Sequence, residues 1–264
     1  MRRMHTKFAF AKMLRRLGFD LILDVGSRDA QESLIFAAAC PGARVIALEA
    51  NPYNAARIRQ NPAVAAASIQ LLELAAWKEE GSVTFHVTDC DYSDPRANTG
   101  TSGIKPHFGL PQTAITVPAV TLAALIEKEA PTAQRVAIWI DVEGAEAEVI
   151  EGLAPAMAKV AMIHVETATS PMHEGQRLLP EIDHILAKGG MHQAGGHMDG
   201  GHWGDVLYIN QSVHPGAFSA PLILAWLLAF FPRRRIASAL FHRAPRLHAS
   251  LKAAFARSPS LSGF

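Results

Sequence analysis

The sequence predicts an α/β fold, a mostly parallel sheet with helices on both faces, and three observations predict it. Short, largely apolar runs recur at residues 21–23 (LIL), 44–49 (RVIALE), 136–140 (VAIWI) and 161–165 (AMIHV), the pattern of strands covered on both sides. Helix-start and helix-stop signals lie between these runs, so strands and helices alternate along the chain. Each run also stops at or near an acid, namely Asp24, Glu49, Asp141 and Glu166.

Residues 1–18 (MRRMHTKFAFAKMLRRLG) form a basic amphipathic helix. The first 19 residues carry six basic residues and no acid. Lys7, Lys12 and Arg15 interrupt every apolar run there, so no signal-peptide core fits. The first strand turns at Asp24-Val25-Gly26, and Asp29-Ala30-Gln31-Glu32 reads as a capping box opening a helix. The second strand is followed by Asn51-Pro52, a helix cap with proline at the first helical position, and that helix runs to Asn61-Pro62. Residues 69–74 form a third strand, and 83–88 alternate as a half-exposed one. Residues 89–116 hold Gly100, Gly103, Pro106, Gly109 and Pro111 with little periodicity, the signature of a long functional loop. Thr121 caps a helix that ends at Ala130-Pro131. Leu178, Leu179, Ile182, Ile185 and Leu186 mark an amphipathic helix closed by Gly189-Gly190, and 206–209 form the last strand.

Composition is that of a globular protein able to bury a sizeable core, with 264 residues, 49% hydrophobic and 19% charged. Cys40 and Cys90 are the only cysteines, which argues against a disulfide framework and for a reducing, cytoplasmic setting. The net charge of +1 hides an asymmetry. The 59 residues after Asp205 carry seven basic residues and no acid, which leaves 18 basic against 24 acidic in residues 1–205. Cationic ends flank an acidic body.

Four acids converging on one sheet edge repel one another, which favours a binding crevice over chance. A dinucleotide site also wants an acid near Glu49, to bond ribose hydroxyls, but it needs three glycines against the pyrophosphate. Here Gly26 stands alone, with Arg28 and Ala30 at the later positions. That pattern argues against a diphosphate and for a ligand bearing an amino group and a ribose, such as S-adenosylmethionine.

The blocks DVGSRDAQES, VIALEANPYN, VPAVTLAALIEKEAP with VAIWIDVEGAEAEVIEGL, MIHVET and GDVLYIN, in that order, resemble the FkbM-type S-adenosylmethionine-dependent methyltransferases. The match spans roughly residues 19–210, and Asp141-Val142-Glu143-Gly144-Ala145-Glu146 is its most specific part. The resemblance implies a Rossmann-like methyltransferase fold, a mostly parallel seven-stranded sheet whose last strand is antiparallel. It implies methyl transfer to a hydroxyl oxygen of a saccharide, glycolipid or similar small metabolite. Ala30 stands where the family's first motif commonly has glycine, so a methyl group there would crowd the cofactor loop. A non-catalytic binding module of the same fold is therefore the alternative.

From the family pattern, Asp24, Gly26 and Ser27 form the cofactor turn, Glu49 and Ala50 meet the ribose, and Leu74 and Ala75 flank the adenine. Asp141 and Glu143 face the transferring methyl group, either as the base for a substrate hydroxyl or in orienting it. Glu143 has a rival role as a cap on the helix from 145 to 151. His164 is a catalytic candidate that also fits a core histidine. His192, His197 and His202 fall in a glycine-rich turn and face solvent or substrate. No metal site is assigned, because Asp141 and Glu166 are only two carboxylates.

The expected organisation is a helix at 1–18, a methyltransferase domain at 19–211 and a tail at 212–264. In that tail the run PLILAWLLAFF (221–231) is too short to cross a bilayer, which takes about 20 apolar residues. It reads as a helix docked on the body, a subunit interface or an in-plane membrane contact, with Phe8, Phe10, Leu14 and Leu17 of the first helix suited to the same surface. Nucleic acid is not expected as a partner, since no stacking platform interleaves the basic residues.

Overall fold

The computed structural model describes residues 6–94, 99–199, 202–210 and 212–213. The apolar run 221–231 and its arginines lie outside them.

Seven strands form the main sheet: β1 (Leu21–Val25), β2 (Arg44–Leu48), β3 (Gln70–Leu72), β7 (Val136–Ile140), β8 (Val160–Ala168), β9 (Met191–Asp199) and β10 (Trp203–Asn210). Their order is β3-β2-β1-β7-β8-β10-β9. All neighbouring pairs from β3 to β8 are parallel, and β10 runs antiparallel to both β8 and β9. The fold is thus the Rossmann-like methyltransferase arrangement, with the last strand of the chain reversed. The chain steps outward from β1 to β3 and returns to β7 on the other side of β1. The switch point, where α/β sheets hold ligands, therefore lies between the ends of β1 and β7.

The two faces of the sheet read directly from strand alternation. Leu21, Leu23 and Val25 point into one core, with α5 (Leu122–Glu129), α6 (Glu146–Leu153) and α7 (Leu179–Lys188) over it. Ile22 points to the other, under α1 (Thr6–Leu17) and α2 (Gln31–Ala39). Burying each such aliphatic side chain stabilises by about 1.5–3 kcal/mol. Beyond β2 lie α3 (Pro52–Gln60) and a short α4 (Pro62–Ala66), both entered through asparagine caps, Asn51 and Asn61, followed by proline. The cap expected at Thr121 is present: its Oγ1 accepts from the Ala124 N–H at 3.1 Å.

Helix α1 packs into the fold through Phe10 and Leu14, both fully buried. Phe10 meets Phe36 and Trp139, with ring centroids at 4.9 and 5.5 Å. Thr6 Oγ1 donates to Asp205 Oδ2 at 2.6 Å, tying the helix to β10. Phe10 and Leu14 therefore serve the core rather than an external apolar surface; Phe8 is the exposed member, at 53%.

Four local expectations are corrected. No capping box opens α2: its cap is Ala30, in the left-handed region at φ 60, and the Asp29 carboxylate accepts from Gln31, from its backbone N–H at 3.1 Å and its side-chain Nε2 at 3.0 Å. The third strand stops at Leu72, because Ala75–Ala76 (β4) leaves the main sheet for a smaller one of order β4-β6-β5. That sheet also holds β5 (Gly81–Thr88) and β6 (Gln112–Val120), so the long irregular loop ends at 111. Finally, the stretch read as a glycine-rich turn is β9, and His192 and His197 sit on it opposite Ile209 and Asp205.

Candidate active site

The site is built where β1 and β7 end. Gly26 adopts φ +85, and a Cβ on it would stand 1.7 Å from the Asp141 carbonyl oxygen. Glycine is required here so that the turn after β1 can lie against the turn after β7. Behind that turn, Asp24 Oδ2 accepts from Ser27 Oγ at 2.7 Å and Ser33 Oγ at 2.5 Å. Asp24 and Ser27 thus fix the turn from beneath. Burial pushes the Asp24 carboxyl up to about 6.

Above the turn opens a crevice with about 500 Å³ of empty space, part of it open to solvent. Of the sequence-identified residues, Gly26, Glu49, Ala50, Leu74, Ala75, Asp141 and Glu143 line it. Asp24, Ser27 and His164 do not. Glu49 is buried just past β2, with Arg28 N–H on its Oε2 at 2.6 Å and Asn51 N–H on its Oε1 at 2.7 Å. Burial outweighs these two bonds and raises its pKa to about 7. Asn54 presents a buried Oδ1 without a hydrogen-bond partner, while its Nδ2 donates to the Thr99 carbonyl at 3.0 Å. Phe85 and Ala76 of the small sheet supply apolar lining, and Thr99, Gly100 and Ser102 line the crevice as well.

Ala30 does not crowd this space. It is fully buried and joins the core beneath α1 with Phe10 and Phe36. His164 is likewise a core residue, contrary to the catalytic expectation. Its ring stacks on Trp139 at 3.4 Å between centroids and lies edge-on to Phe10, with Nε2 3.4 Å from Asp205 Oδ1. Strand alternation points it under α1, away from the crevice.

Glu143 does not cap a helix. α6 starts at Glu146, whose Oε1 reaches back to the Gly144 N–H at 2.9 Å. Glu143 instead stands at φ 55, a left-handed conformation unfavourable for a residue with a side chain, of the kind that concentrates at functional sites. Burial raises its pKa to about 7 against the pull of the Arg28 guanidinium. It borders both the crevice and a smaller adjoining hollow lined by Glu146, Glu166, Thr167, His173 and Gln176. Asp141 and Glu166 share a side-chain hydrogen bond, and burial comes first in raising both groups, so the pair holds a proton more tightly than free carboxylates do.

Sequence reasoning missed Arg28, Asn54, Thr99, Ser102 and His173. Arg28, next to the Gly26 turn, had a local signal; the others reach the site by long-range packing. Among the described residues, no helix is long and apolar enough to cross a membrane.

A family model described as methyltransferase FkbM domain matches residues 24–195. The 2-O-methyltransferase NoeI of Sinorhizobium fredii (strain NBRC 101917 / NGR234) is 27% identical over 172 residues, covering 63% of this chain and 70% of that protein. Similar solved structures include a precorrin-6y C5,15-methyltransferase from Geobacter metallireducens GS-15, 16% identical, with TM-score 0.41 over 76% of this chain and 85% of that one. Another is magnesium protoporphyrin IX methyltransferase (ChlM) from Synechocystis PCC 6803, solved with bound SAM, 12% identical, with TM-score 0.45 over 78% of each chain. With the family pattern matched from the β1 acid into β9, the chain belongs to the FkbM-domain methyltransferases.

Proposed function

We propose that the chain is an S-adenosylmethionine-dependent O-methyltransferase acting on a saccharide or a similarly hydroxylated small molecule. The observation that carries this reading is the pairing, across one crevice, of a buried Glu49 with Asp141 and Glu143. The residues present fit the cofactor. Each Glu49 oxygen holds one backbone N–H and retains lone-pair capacity for a ribose hydroxyl. The partnerless Asn54 Oδ1 awaits a donor. The carboxylates of Asp141 and Glu143 suit the cofactor's cationic end, and nothing in the turn resembles a diphosphate cradle.

When bound, the cofactor supplies a methyl group on a sulfonium centre, to be taken by a nucleophilic oxygen. Gly26 and Asp141 shape the floor below it, and Phe85 with Ala76 excludes water from one side. Glu143 holds the chemistry on the protein's side. Its carboxylate accepts the proton of the acceptor hydroxyl as the oxygen forms its new bond to carbon, which keeps charge from building up on that oxygen. A pKa near 7 suits such a base at neutral pH. O-methyl transfer draws on the 2-O-methyltransferase relative, the saccharide class rests on the sequence resemblance alone, and acceptor choice is assigned to the segment that carries Thr99, Gly100 and Ser102 to the crevice.

The test is calorimetry with S-adenosylhomocysteine. Binding that stabilises the chain by about 2.7 kcal/mol at 100 times the dissociation constant supports the reading. No interaction with S-adenosylhomocysteine or S-adenosylmethionine, beside a measurable one with a nicotinamide dinucleotide, would overturn it. Residues 221–235 are proposed as a peripheral contact with membrane or a second subunit, resting on their apolar and basic sequence alone.

A further inference from the structure

Three carboxylates meet on the Glu143 side of the crevice. One oxygen from each of Asp141, Glu143 and Glu166 lies within 4.8 Å of the other two. Ligands of one octahedral ion with bonds of about 2.1 Å stand roughly 3 to 4.2 Å apart, so only a small contraction separates this group from an ion's first shell. An acidic cluster alone does not make a site, and here a second observation points the same way.

His173, 1% exposed, faces the cluster from a separate loop. Its Nδ1 lies 3.3 Å from the Lys105 carbonyl oxygen, which can only accept, so Nδ1 carries the ring proton. That leaves a lone pair on Nε2. Nε2 is buried without a hydrogen-bond partner and stands 3.3 Å from Glu143 Oε2. Two lone pairs facing each other at that distance are reconciled by a proton or by a cation between them. A ring whose far nitrogen donates to a backbone carbonyl is how metal-bound histidines are held in the right tautomer.

The surroundings are built to keep this ring in place. Gly144 stands at φ +95, and a Cβ on it would lie 2.8 Å from the His173 Cβ and Cγ atoms. Lys105 Nζ donates to Glu148 Oε1 at 2.9 Å and to the Gly175 carbonyl at 2.7 Å, so it is committed elsewhere. Among the described residues, no lysine or arginine lines the hollow behind Glu143. Thr167 adds a buried Oγ1 without a partner to the same wall.

We propose that Asp141, Glu143 and Glu166, with His173 beside Glu143, bind one hard divalent cation of the magnesium or manganese kind. Oxygen-rich, carboxylate-dominated sets select such ions over softer metals. The use of the ion rests on the methyl-transfer reading: it would attract the acceptor's hydroxyl oxygen and make its proton easier to remove. A carboxylate that ligates through one oxygen keeps the second free to take that proton, so Glu143 serves both purposes. The binding itself does not depend on the acceptor.

The probe is Mn²⁺, added to full-length protein stripped with a chelator and followed by the loss of the free-ion electron paramagnetic resonance signal. The expected result is one bound Mn²⁺ per chain, competed by Mg²⁺, with affinity reduced at least tenfold in Glu166→Gln and in His173→Gln. Circular dichroism of both variants shows whether they fold, and Asp141→Asn provides a third if either does not. S-adenosylhomocysteine calorimetry in excess chelator runs beside it, so that loss of the cofactor reading and loss of the cation site are told apart. No Mn²⁺ uptake by folded protein means that a shared proton alone fills the cluster, and overturns the proposal. So does uptake that the three substitutions leave unchanged.

Discussion

Gly26 and Asp141 belong to different turns, yet their backbones touch so closely that the Asp141 carbonyl oxygen fills the place of a Gly26 side chain. This contact joins the two turns that frame the switch point of the sheet. The sequence pattern assigns Gly26 to the approach of the cofactor; its first duty is to let the turn after β7 approach.

Gly26→Ala should therefore damage the fold as well as the site. A side chain at φ +85 costs on the order of 1–3 kcal/mol, and relieving the overlap moves one turn away from the other. Chemical denaturation should register the destabilisation, and calorimetry should find S-adenosylhomocysteine binding abolished. A variant with native stability and affinity would show that the two turns move apart freely.

Glu49 carries two loads that substitutions can separate. Its carboxylate satisfies the backbone N–H groups of Arg28 and Asn51. Glu49→Ala leaves the buried Asn51 N–H unpaired, at about 1–3 kcal/mol, frees the partly buried Arg28 N–H to water, and also removes the acceptor for the ribose hydroxyls. Glu49→Gln keeps one acceptor but turns an amide donor toward the other N–H. The expected order of unfolding midpoints is native, then Gln, then Ala, with cofactor affinity falling at least tenfold in both. Unchanged midpoints would mean that water replaces the carboxylate at no cost.

The parts of the molecule legible in the sequence are those whose signal is local. LIL, VAIWI and AMIHV declare strands buried on both faces, and the acids beside them mark the ligand edge. Residues 75–76 and 191–199 were not legible, because a two-residue strand and a histidine- and glycine-rich strand carry no apolar period. Their pairing comes from β6 and β10. Ala30 as a left-handed helix cap broke the capping rule, since tertiary packing under α1 holds it where propensity would put glycine. His164 and His173 show the limit for chemistry. Each is a lone histidine in sequence, and only the face of β8 and the loop beside Gly144 decide which one meets Glu143.

Glu143→Gln keeps the shape of the side chain and removes its basicity. Turnover should fall by roughly 10²–10⁴ if Glu143 takes the acceptor's proton, with cofactor affinity little changed. Its pKa, held up near 7 by burial, adds a signature. A base must be deprotonated, so the native rate should rise with pH and level off just above neutrality, and the variant should lack that limb. A pH profile of the variant with the native shape would move the base role to another group.

Stability should also depend on pH, and in the direction opposite to that of a protein held by salt-bridged carboxylates. Burial raises Asp24 to about 6, and Glu49, Glu143 and Glu146 to about 7. Unfolded carboxylates titrate near 4, so between about pH 4 and 7 the folded chain holds these protons more tightly than the unfolded one. Each group then contributes stability that is complete below the unfolded pKa and is lost as pH rises through the folded pKa. His173 works the other way, since burial lowers its pKa and its contribution is lost as pH falls below the unfolded value. Asp141 and Glu166 are raised by burial as well, and these six carboxylates outweigh the lowered imidazoles of His173 and His107 and the lowered, hydrogen-bonded Asp20 and Asp91, so the ligand-free chain should unfold at a lower guanidinium concentration at pH 8 than at pH 5.5. Glu146→Gln, which removes one of the raised carboxylates, should shrink that difference. A midpoint that stays level or climbs toward pH 8 would mean that these carboxylates are already ionised, and hydrated or paired, in the folded protein.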